Sequence, residues 1–224
     1  MYKIRKFAAL IVVLIFTTFF STSYAQSSYY IEEQRVFYGG LIIGSNFTQV
    51  DGDNFAGYHK MGLNVGGIVY ATFSEHVAAS LEILYSQKGS RSSVPTLSNS
   101  QAYAINKYGI DLNYAEVPVQ INYFDKRKSH FGAGFSYSQL ASSNEYVQTS
   151  PTYPVTGNLA EKYQFKKYDL NFIIGGNLHL VKGLFMNIRF QYSLLPVRKD
   201  NPPEIGRAEQ YNNMWTVRLM YLFM

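Results

Sequence analysis

Four charged residues lie at polar positions of segments in which apolar and polar side chains alternate. They are Glu82, Glu116, Arg189 and Arg218. Carboxylates and guanidinium groups that share one side of such segments can form buried ion pairs, or they can line a path for ions or protons. Which of these chemistries applies depends on the elements that carry the residues.

Other arrangements that could do chemistry are weaker. The run Asp51-Gly52-Asp53-Asn54 suits a solvated turn; a calcium loop would need a bidentate acid at its twelfth position, which is Gly62. Pairing His59 with Asp51 or Asp53 is the one candidate for hydrolysis, and no Gly-Xaa-Ser-Xaa-Gly motif accompanies it. We therefore expect no catalytic residue, no metal and no cofactor. No two of the histidines have the spacing of metal ligands, and the second and third fall at predicted turns: His59, His76, His130, His179.

The segment Leu184–Leu195 shows the underlying pattern most clearly. The residues at even positions are apolar, and those at odd positions include two amides, a serine and Arg189. A period of two predicts a β-strand with one apolar side and one polar side. About a dozen residues are enough to cross the hydrocarbon layer of a bilayer when the strand is tilted.

Eight segments of this kind follow one another along the chain. Three connections between them are short and four are long, in strict alternation, which is the asymmetry of outer-membrane barrels. The prediction is an all-β fold, an eight-stranded antiparallel up-and-down transmembrane β-barrel, over residues 36–224. Pro118 interrupts the fourth strand, where we expect a bulge or a missing hydrogen bond. The predicted strands are 36–47, 61–73, 77–88, 110–124, 130–140, 166–181, 184–195 and 211–223, with long loops at 48–60, 89–108, 141–165 and 196–210.

In such a barrel Glu82 and Glu116 lie on adjacent strands, and Arg189 and Arg218 lie on another adjacent pair at a similar depth. We expect a Glu–Arg network that fills the lumen, because unpaired buried charges are costly. The alternative is a selective pore or proton path, which calls for a wider interior than eight strands provide. The amides expected to add hydrogen bonds are Asn122, Asn187 and Gln191.

Lipid-facing aromatic residues gather near both predicted ends of the strands. Two such bands are typical of the girdles that anchor barrels at the membrane interfaces, although ordinary strand propensity also favours aromatic residues. The predicted girdle is Phe73, Tyr85, Tyr123, Phe131, Tyr137, Tyr192, Trp215, Tyr221 and Phe223.

Residues 1–25 have the features of a secretory signal peptide. Lys3, Arg5 and Lys6 precede an apolar run, and Ser23 and Ala25 are the small residues expected before cleavage ahead of Gln26. The apolar run, 7–20, is short for a membrane-spanning helix. Residues 26–35 then form a periplasmic lead-in. Without the leader's three cations, 17 basic and 15 acidic residues remain and no basic stripe is present, so we expect no nucleic-acid partner.

Several stretches resemble a known family. The segments GGLIIGSNFTQVDGD, GYHKMGLNVGGIVYATFSEHVAASLEILYSQKGS, YAEVPVQINYF and HFGAGFSYSQL look like the PorT-like outer-membrane β-barrel proteins of Bacteroidetes, over residues 36–224. The resemblance implies an eight-stranded barrel in the outer membrane. It also implies a connection with protein secretion and gliding machinery, and it carries over no catalytic residues.

These observations predict a non-enzymatic, monomeric outer-membrane barrel with a structural or protein-interaction role in the envelope, possible partners being outer-membrane lipid and envelope or secretion-system proteins. Two alternatives stay open: a barrel enzyme acting on lipid A or phospholipid, and a soluble periplasmic β-barrel binder. The predicted loop 141–165 carries Tyr146, Tyr153 and Tyr163, which suit recognition of protein or glycan but are equally compatible with an unconstrained loop.

Overall fold

A computed structural model describes residues 36–55, 57–101, 104–150, 159–200, 202–203 and 205–223. The predicted signal peptide (1–25) and lead-in (26–35) lie outside the described residues. Within the described residues the elements, in chain order, are β1 (Phe37–Asp53), β2 (Lys60–Thr72), β3 (Val77–Ser92), β4 (Thr96–Leu97), β5 (Ala104–Phe124), β6 (His130–Ser150), α1 (Leu159–Lys162), β7 (Tyr168–Val181), β8 (Leu184–Ser193) and β9 (Gly206–Leu222).

Eight long strands close into a ring. Successive strands pair antiparallel, β1 pairs with β9, and β3 pairs with β5 past the two-residue β4, which attaches to β5 alone. A closed ring gives every strand a partner on both sides, which is the condition for crossing hydrocarbon as β-structure. The predicted eight-stranded up-and-down barrel is confirmed.

The alternation of side chains decides which face of each strand meets lipid. On β3, Leu81 and Ile83 are exposed on the outer surface, whereas Ser80, Glu82 and Ser86 are buried in the lumen. The same parity holds on β8, where the polar residues between Phe185 and Ser193 point inward. Apolar residues in lipid and polar residues in a narrow interior follow from the bilayer acting as solvent.

Short and long connections lie at opposite ends of the barrel. The short turns span 73–76, 125–129 and 182–183, and the longer connections span 54–59, 93–103, 151–167 and 194–205. Among the described residues, no helix has the length and apolar character needed to cross a membrane. The predicted alternation of connections is therefore present, although the long ones are shorter than expected.

Five strand ends at the long-loop side extend beyond the predicted bounds. β1 continues to Asp53, β3 to Ser92 and β6 to Ser150, while β5 begins at Ala104 and β9 at Gly206. The predicted loops 48–60, 89–108, 141–165 and 196–210 were therefore too long. Strand β6 alone gains ten residues, 141–150, and pairs with β5 along them.

The reason is that the apolar residues change from the outer side to the inner side of one strand, β5. From Ala115 to Tyr123 the apolar residues of β5 point outward at odd positions. Nearer the long loops the apolar residues are at even positions, point inward and are buried. A strand outside the bilayer faces water, so its apolar side turns to the interior. The inward residues are Tyr108, Ile110, Leu112 and Tyr114.

Pro118 sits in β5 without a bulge. It pairs in register with Ser136 of β6. On the other side, the β3–β5 pairing is interrupted between Leu81↔Val119 and Leu84↔Glu116. The lack of a proline N–H explains this gap. The expected break in hydrogen bonding is present. The two register shifts between β5 and β6 lie elsewhere, between Ile105 and Lys107 and between Asn113 and Tyr114.

Candidate functional site

Two charged layers occupy the middle of the lumen. In the first, Glu82 on β3 accepts a hydrogen bond from Arg189 Nη2 on β8 at 2.5 Å and one from Arg218 Nη1 on β9 at 2.8 Å. Gln120 Nε2 also donates to Glu82, at 3.2 Å. All four side chains are buried, so the carboxylate is paired rather than solvated.

Arg218 is held from a second direction. Its Nε donates to Asn187 Oδ1 on the adjacent strand β8 at 2.8 Å. Asn187 Nδ2 in turn donates to Asn177 Oδ1 on β7 at 2.9 Å. This chain of contacts fixes the guanidinium plane toward Glu82, and it links strands β3, β7, β8 and β9 across the lumen.

The second layer is centred on Lys88 of β3. Its Nζ lies 3.3 Å from Glu116 Oε2 and 3.6 Å from Asp169 Oδ2, and 4.9 Å from the centre of the Tyr114 ring. Glu116 Oε1 also accepts hydrogen bonds from Ser136 Oγ at 2.7 Å and Gln191 Nε2 at 2.8 Å. One cation thus joins carboxylates from β5 and β7.

The structure brings together three of the four predicted lumen charges. Glu82, Arg189 and Arg218 meet directly, whereas Glu116 pairs with Lys88 instead of either arginine. The three predicted amides also have different partners. Asn187 accepts a hydrogen bond from Arg218, and Gln191 donates one to Glu116. Asn122 donates to Ser80, outside both layers. A single four-member network was therefore the wrong grouping.

Apolar layers close the lumen on either side of the charges. Toward the short turns, Tyr70 OH lies 2.9 Å from His130 Nε2, whose ring stacks on Phe124 at 4.1 Å. His130 is the first residue of β6, at the start predicted for that strand, and its side chain is buried. The apolar cluster of this layer is Ile42, Ile68, Tyr70, Ala78, Leu84, Phe185, Met220 and Leu222.

A second apolar core fills the part of the barrel beyond the membrane. Beside it Glu145 of β6 accepts hydrogen bonds from Tyr108 OH at 2.6 Å and Arg198 Nη2 at 2.9 Å. The Arg198 guanidinium lies 3.7 Å from the centre of the Phe165 ring. Burial and the nearby carboxylate raise the pKa of Tyr108, so its hydroxyl stays a donor. The core is Val50, Phe55, Ile105, Tyr108, Ile110, Leu112, Tyr114, Ala160, Phe165, Val197 and Ile205.

Taken together, the layers make the interior electrically balanced. The Glu82 layer carries two cations and one anion, and the Lys88 layer carries one cation and two anions. The net charges of the two layers are opposite and cancel. Such an arrangement can stabilise a packed interior chemically, because each buried charge has a partner within about 4 Å.

The nine predicted girdle residues lie on the outer surface. Five of them lie toward the short-turn end, where Tyr123 pairs with Phe131 across β5 and β6, and Tyr221 contacts Phe223. The other four lie nearer the long connections, where Trp215 packs on Phe190 at 5.1 Å. The first group is Phe73, Tyr123, Phe131, Tyr221 and Phe223, and the second is Tyr85, Tyr137, Tyr192 and Trp215.

The candidate hydrolytic pair is not assembled. Among the described residues, His59 is exposed and neither Asp51 nor Asp53 makes an ion pair or side-chain hydrogen bond with it. Asp53 Oδ1 instead accepts the Phe55 N–H at 2.8 Å. Burial raises the pKa of Asp53 to about 7. No group of three or more acidic, histidine or cysteine residues suited to a metal occurs in the described part of the chain.

Four buried charged residues were not singled out by the sequence reasoning. Lys88 and Asp169 lie within predicted strands but were left out of the predicted charge network, and Arg198 and Glu145 lay in predicted loops. The inward parity of Lys88 at the end of β3 was the available signal. For Glu145, the alternation of Leu140, Val147 and their neighbours around the outer core was too sparse to mark a strand.

A family model described as an outer membrane protein beta-barrel domain matches residues 24–198. No curated protein matches the chain. Similar solved structures include the attachment invasion locus protein Ail of Yersinia pestis, at 13% identity and TM-score 0.44, covering 83% of this chain and 98% of that one. Neisserial surface protein A (NspA) follows at 5% identity and TM-score 0.46, covering 83% and 96%. The outer membrane protein OprG of Pseudomonas aeruginosa has 10% identity and a TM-score of 0.35, with 84% of this chain and 94% of that chain covered.

Proposed function

The chain belongs to the outer membrane protein β-barrel domain family, and on this premise we propose that it is a non-enzymatic envelope component whose lumen is a structural plug. Its functional surface is the extension of the barrel beyond the outer membrane. The observation that carries the proposal is the presence in the interior of two apolar layers and two charged layers whose net charges cancel. Each charge of the two layers has an ion-pair partner, as a packed interior requires.

The extension offers a rigid surface for a protein partner. Strands β5 and β6 continue as a paired hairpin to Ser150, and the outer core packs behind them. The Tyr146 side chain crosses the outer face of Gly109, where an added Cβ would overlap its ring. The outward residues here are polar, in contrast to the membrane-facing part of the same strands: Asn144, Tyr146, Gln148 and Ser150.

Lumen function is tested by conductance in planar bilayers. The wild-type barrel should give no defined ion channel, and Lys88→Ser with Glu116→Ser, which removes a paired plug, should raise conductance if the fold persists. A defined wild-type channel whose selectivity changes in Arg189→Gln would contradict the proposal and favour the pore reading.

The interaction role is tested at the hairpin. Wild-type protein and the double variant Asn144→Glu, Gln148→Glu are compared as baits for chemical crosslinking in native outer membranes. We expect a saturable partner that the double variant loses and that Glu75→Gln, altered at the opposite end, keeps. Identical partners with both variants would place the interaction elsewhere.

An accessory role in protein secretion is the finer form of the proposal. It is supported by the PorT-like resemblance of the strand segments. A deletion strain complemented with wild-type protein or the hairpin variant should differ in secreted protein, and unchanged secretion in the deletion strain would remove this role.

The competing class is a barrel enzyme acting on lipid A or phospholipid. His59 at the outer rim is its candidate base, and the pair with Asp51 or Asp53 is not formed. Purified barrel should release no fatty acid from either lipid. Activity that disappears in His59→Ala would establish the enzyme instead.

A further inference from the structure

A groove of about 500 Å³ lies on the outer surface across β5 to β8, near the short turns. Its floor is Gly176 on β7, which the strand register places between Phe131 of β6 and Ile188 of β8. A Cβ added at Gly176 would meet no atom within 4 Å. The larger neighbours therefore rise around a hollow that faces lipid. Its remaining apolar sides are formed by Tyr123, Leu178 and Met186.

One end of the groove opens at a basic turn. Asp125 and Ser129 line this end, and the Asp125 N–H donates to the Ser129 carbonyl at 2.8 Å. The Arg127 N–H donates to Asp125 Oδ1 at 2.8 Å, which fixes the turn. Its three cations, Lys126, Arg127 and Lys128, are exposed. None of them forms an ion pair with any carboxylate of the residues that the structure describes.

The next short turn adds a further cation at the same rim. Lys182 is exposed between β7 and β8, and it too lacks an ion pair within the described ranges. The two turns beside the groove thus carry four cations and one acid, Asp125. This excess of positive charge stands at the depth where lipid phosphates meet the membrane surface.

We propose that the groove is a binding site for one glycerophospholipid with an anionic headgroup. One acyl chain lies over Gly176 between Phe131 and Ile188, and the phosphate receives charge-assisted hydrogen bonds from the basic turn. Short turns of outer-membrane barrels face the periplasm, so the site lies in the leaflet built from glycerophospholipids. The charge excess selects an anionic headgroup over a zwitterionic one.

The test is a lipid titration of the protein purified from outer membranes in detergent and stripped of lipid. Dimyristoyl phosphatidylglycerol and dimyristoyl phosphatidylcholine are added separately, and the first bound lipid is quantified by native mass spectrometry. Phosphatidylglycerol should bind about tenfold more tightly, as expected for a few surface cations. Inorganic phosphate at equal concentration should not displace it, since the acyl chain supplies part of the affinity.

Two variants separate the two halves of the site. Gly176→Leu fills the groove and should weaken the first site about fivefold for both lipids. Replacing the turn cations as Lys126→Gln, Arg127→Gln and Lys128→Asn should weaken phosphatidylglycerol binding more than phosphatidylcholine binding and abolish the preference, because both lipids carry the phosphate but choline adds a positive charge. Asparagine is chosen at 128 because the residue has a positive φ of 64°.

Gly67→Leu is the matched control. Gly67 also faces lipid, between Leu41 and Ile83, and an added Cβ has its nearest contact at 3.7 Å. The Gly67→Leu variant should bind both lipids with the affinities of the wild type. If Gly176→Leu impairs folding, Gly176→Ala makes the same test with a smaller effect. Equal affinity of the wild type for both lipids, displacement by phosphate alone, or equal behaviour of the variants at 176 and 67 would overturn the proposal.

Discussion

Glu82 and Arg189 stand on strands β3 and β8, which are four positions apart in either direction around the eight-stranded ring, and they meet across the lumen at 2.5 Å. Their contact is therefore a strut between opposite sides of the barrel. Arg218 reaches the same carboxylate from β9 at 2.8 Å. One acid thus holds two guanidinium groups that would otherwise face each other in a buried space.

Glu82→Gln should destabilise the barrel strongly. Without the carboxylate, Arg189 and Arg218 become uncompensated buried cations, and the free energy of unfolding should fall by about 3–5 kcal/mol. Equilibrium unfolding by urea in lipid vesicles measures it. Glu75→Gln, in an exposed turn, is the control and should stay within about 0.5 kcal/mol of the wild type. A loss below about 1 kcal/mol for Glu82→Gln would show that the strut contributes little.

Lys88→Met should also lower the free energy of unfolding strongly, and further substitutions should restore most of it. The substitution leaves Glu116 and Asp169 buried without their shared cation, at a cost of about 3 kcal/mol. Adding Glu116→Gln and Asp169→Asn removes the uncompensated charges and should recover most of the loss. The same unfolding assay, arranged as a mutant cycle, reports the coupling. Additive effects would mean that the three residues act independently.

Asp53 should make stability depend on pH. Burial raises the pKa of Asp53 to about 7 in the folded chain, from an ordinary value of 3.8. The folded state therefore holds a proton that the unfolded state has lost between these values, so stability falls as pH rises from about 4 to about 7.

Asp53→Asn keeps the acceptor for the Phe55 N–H and removes the buried charge. At pH 8 it should be more stable than the wild type by up to about 4 kcal/mol, and the difference should vanish near pH 4. Thermal unfolding across this pH range is the measurement. A constant difference between the two proteins at every pH would exclude titration of Asp53 as the cause.

Adjacent glycines on β2 should respond in opposite ways to alanine. Gly66 faces the lumen, where an added Cβ would overlap the Ile83 carbonyl oxygen. Gly67 faces lipid with its nearest contact at 3.7 Å. Gly66→Ala should cost about 1–3 kcal/mol or prevent insertion, and Gly67→Ala should be tolerated. Folding yield and unfolding free energy measure both, and equal tolerance would mean that β2 and β3 can separate.

The sequence by itself determined the number of strands, their order and which face meets lipid. Hydrocarbon has no hydrogen-bonding partners for the backbone, so the chain must close into a ring, and it must display apolar residues at every second position. That constraint acts on each strand locally. It is why the sequence alone predicts Glu82 in the lumen, where the structure has it buried between the exposed Leu81 and Ile83.

The tertiary structure decided which buried charges meet and how far the strands extend beyond the membrane. Partners across the lumen depend on the register of every strand between them, so the sequence grouped Glu116 with the arginines while the fold pairs it with Lys88. Beyond the bilayer, water satisfies the outer face and the apolar pattern turns inward, as at Ile110 and Leu112. Apolar and polar residues still alternate there, but the apolar residues face the interior and not the outside. Only the packed outer core shows this change.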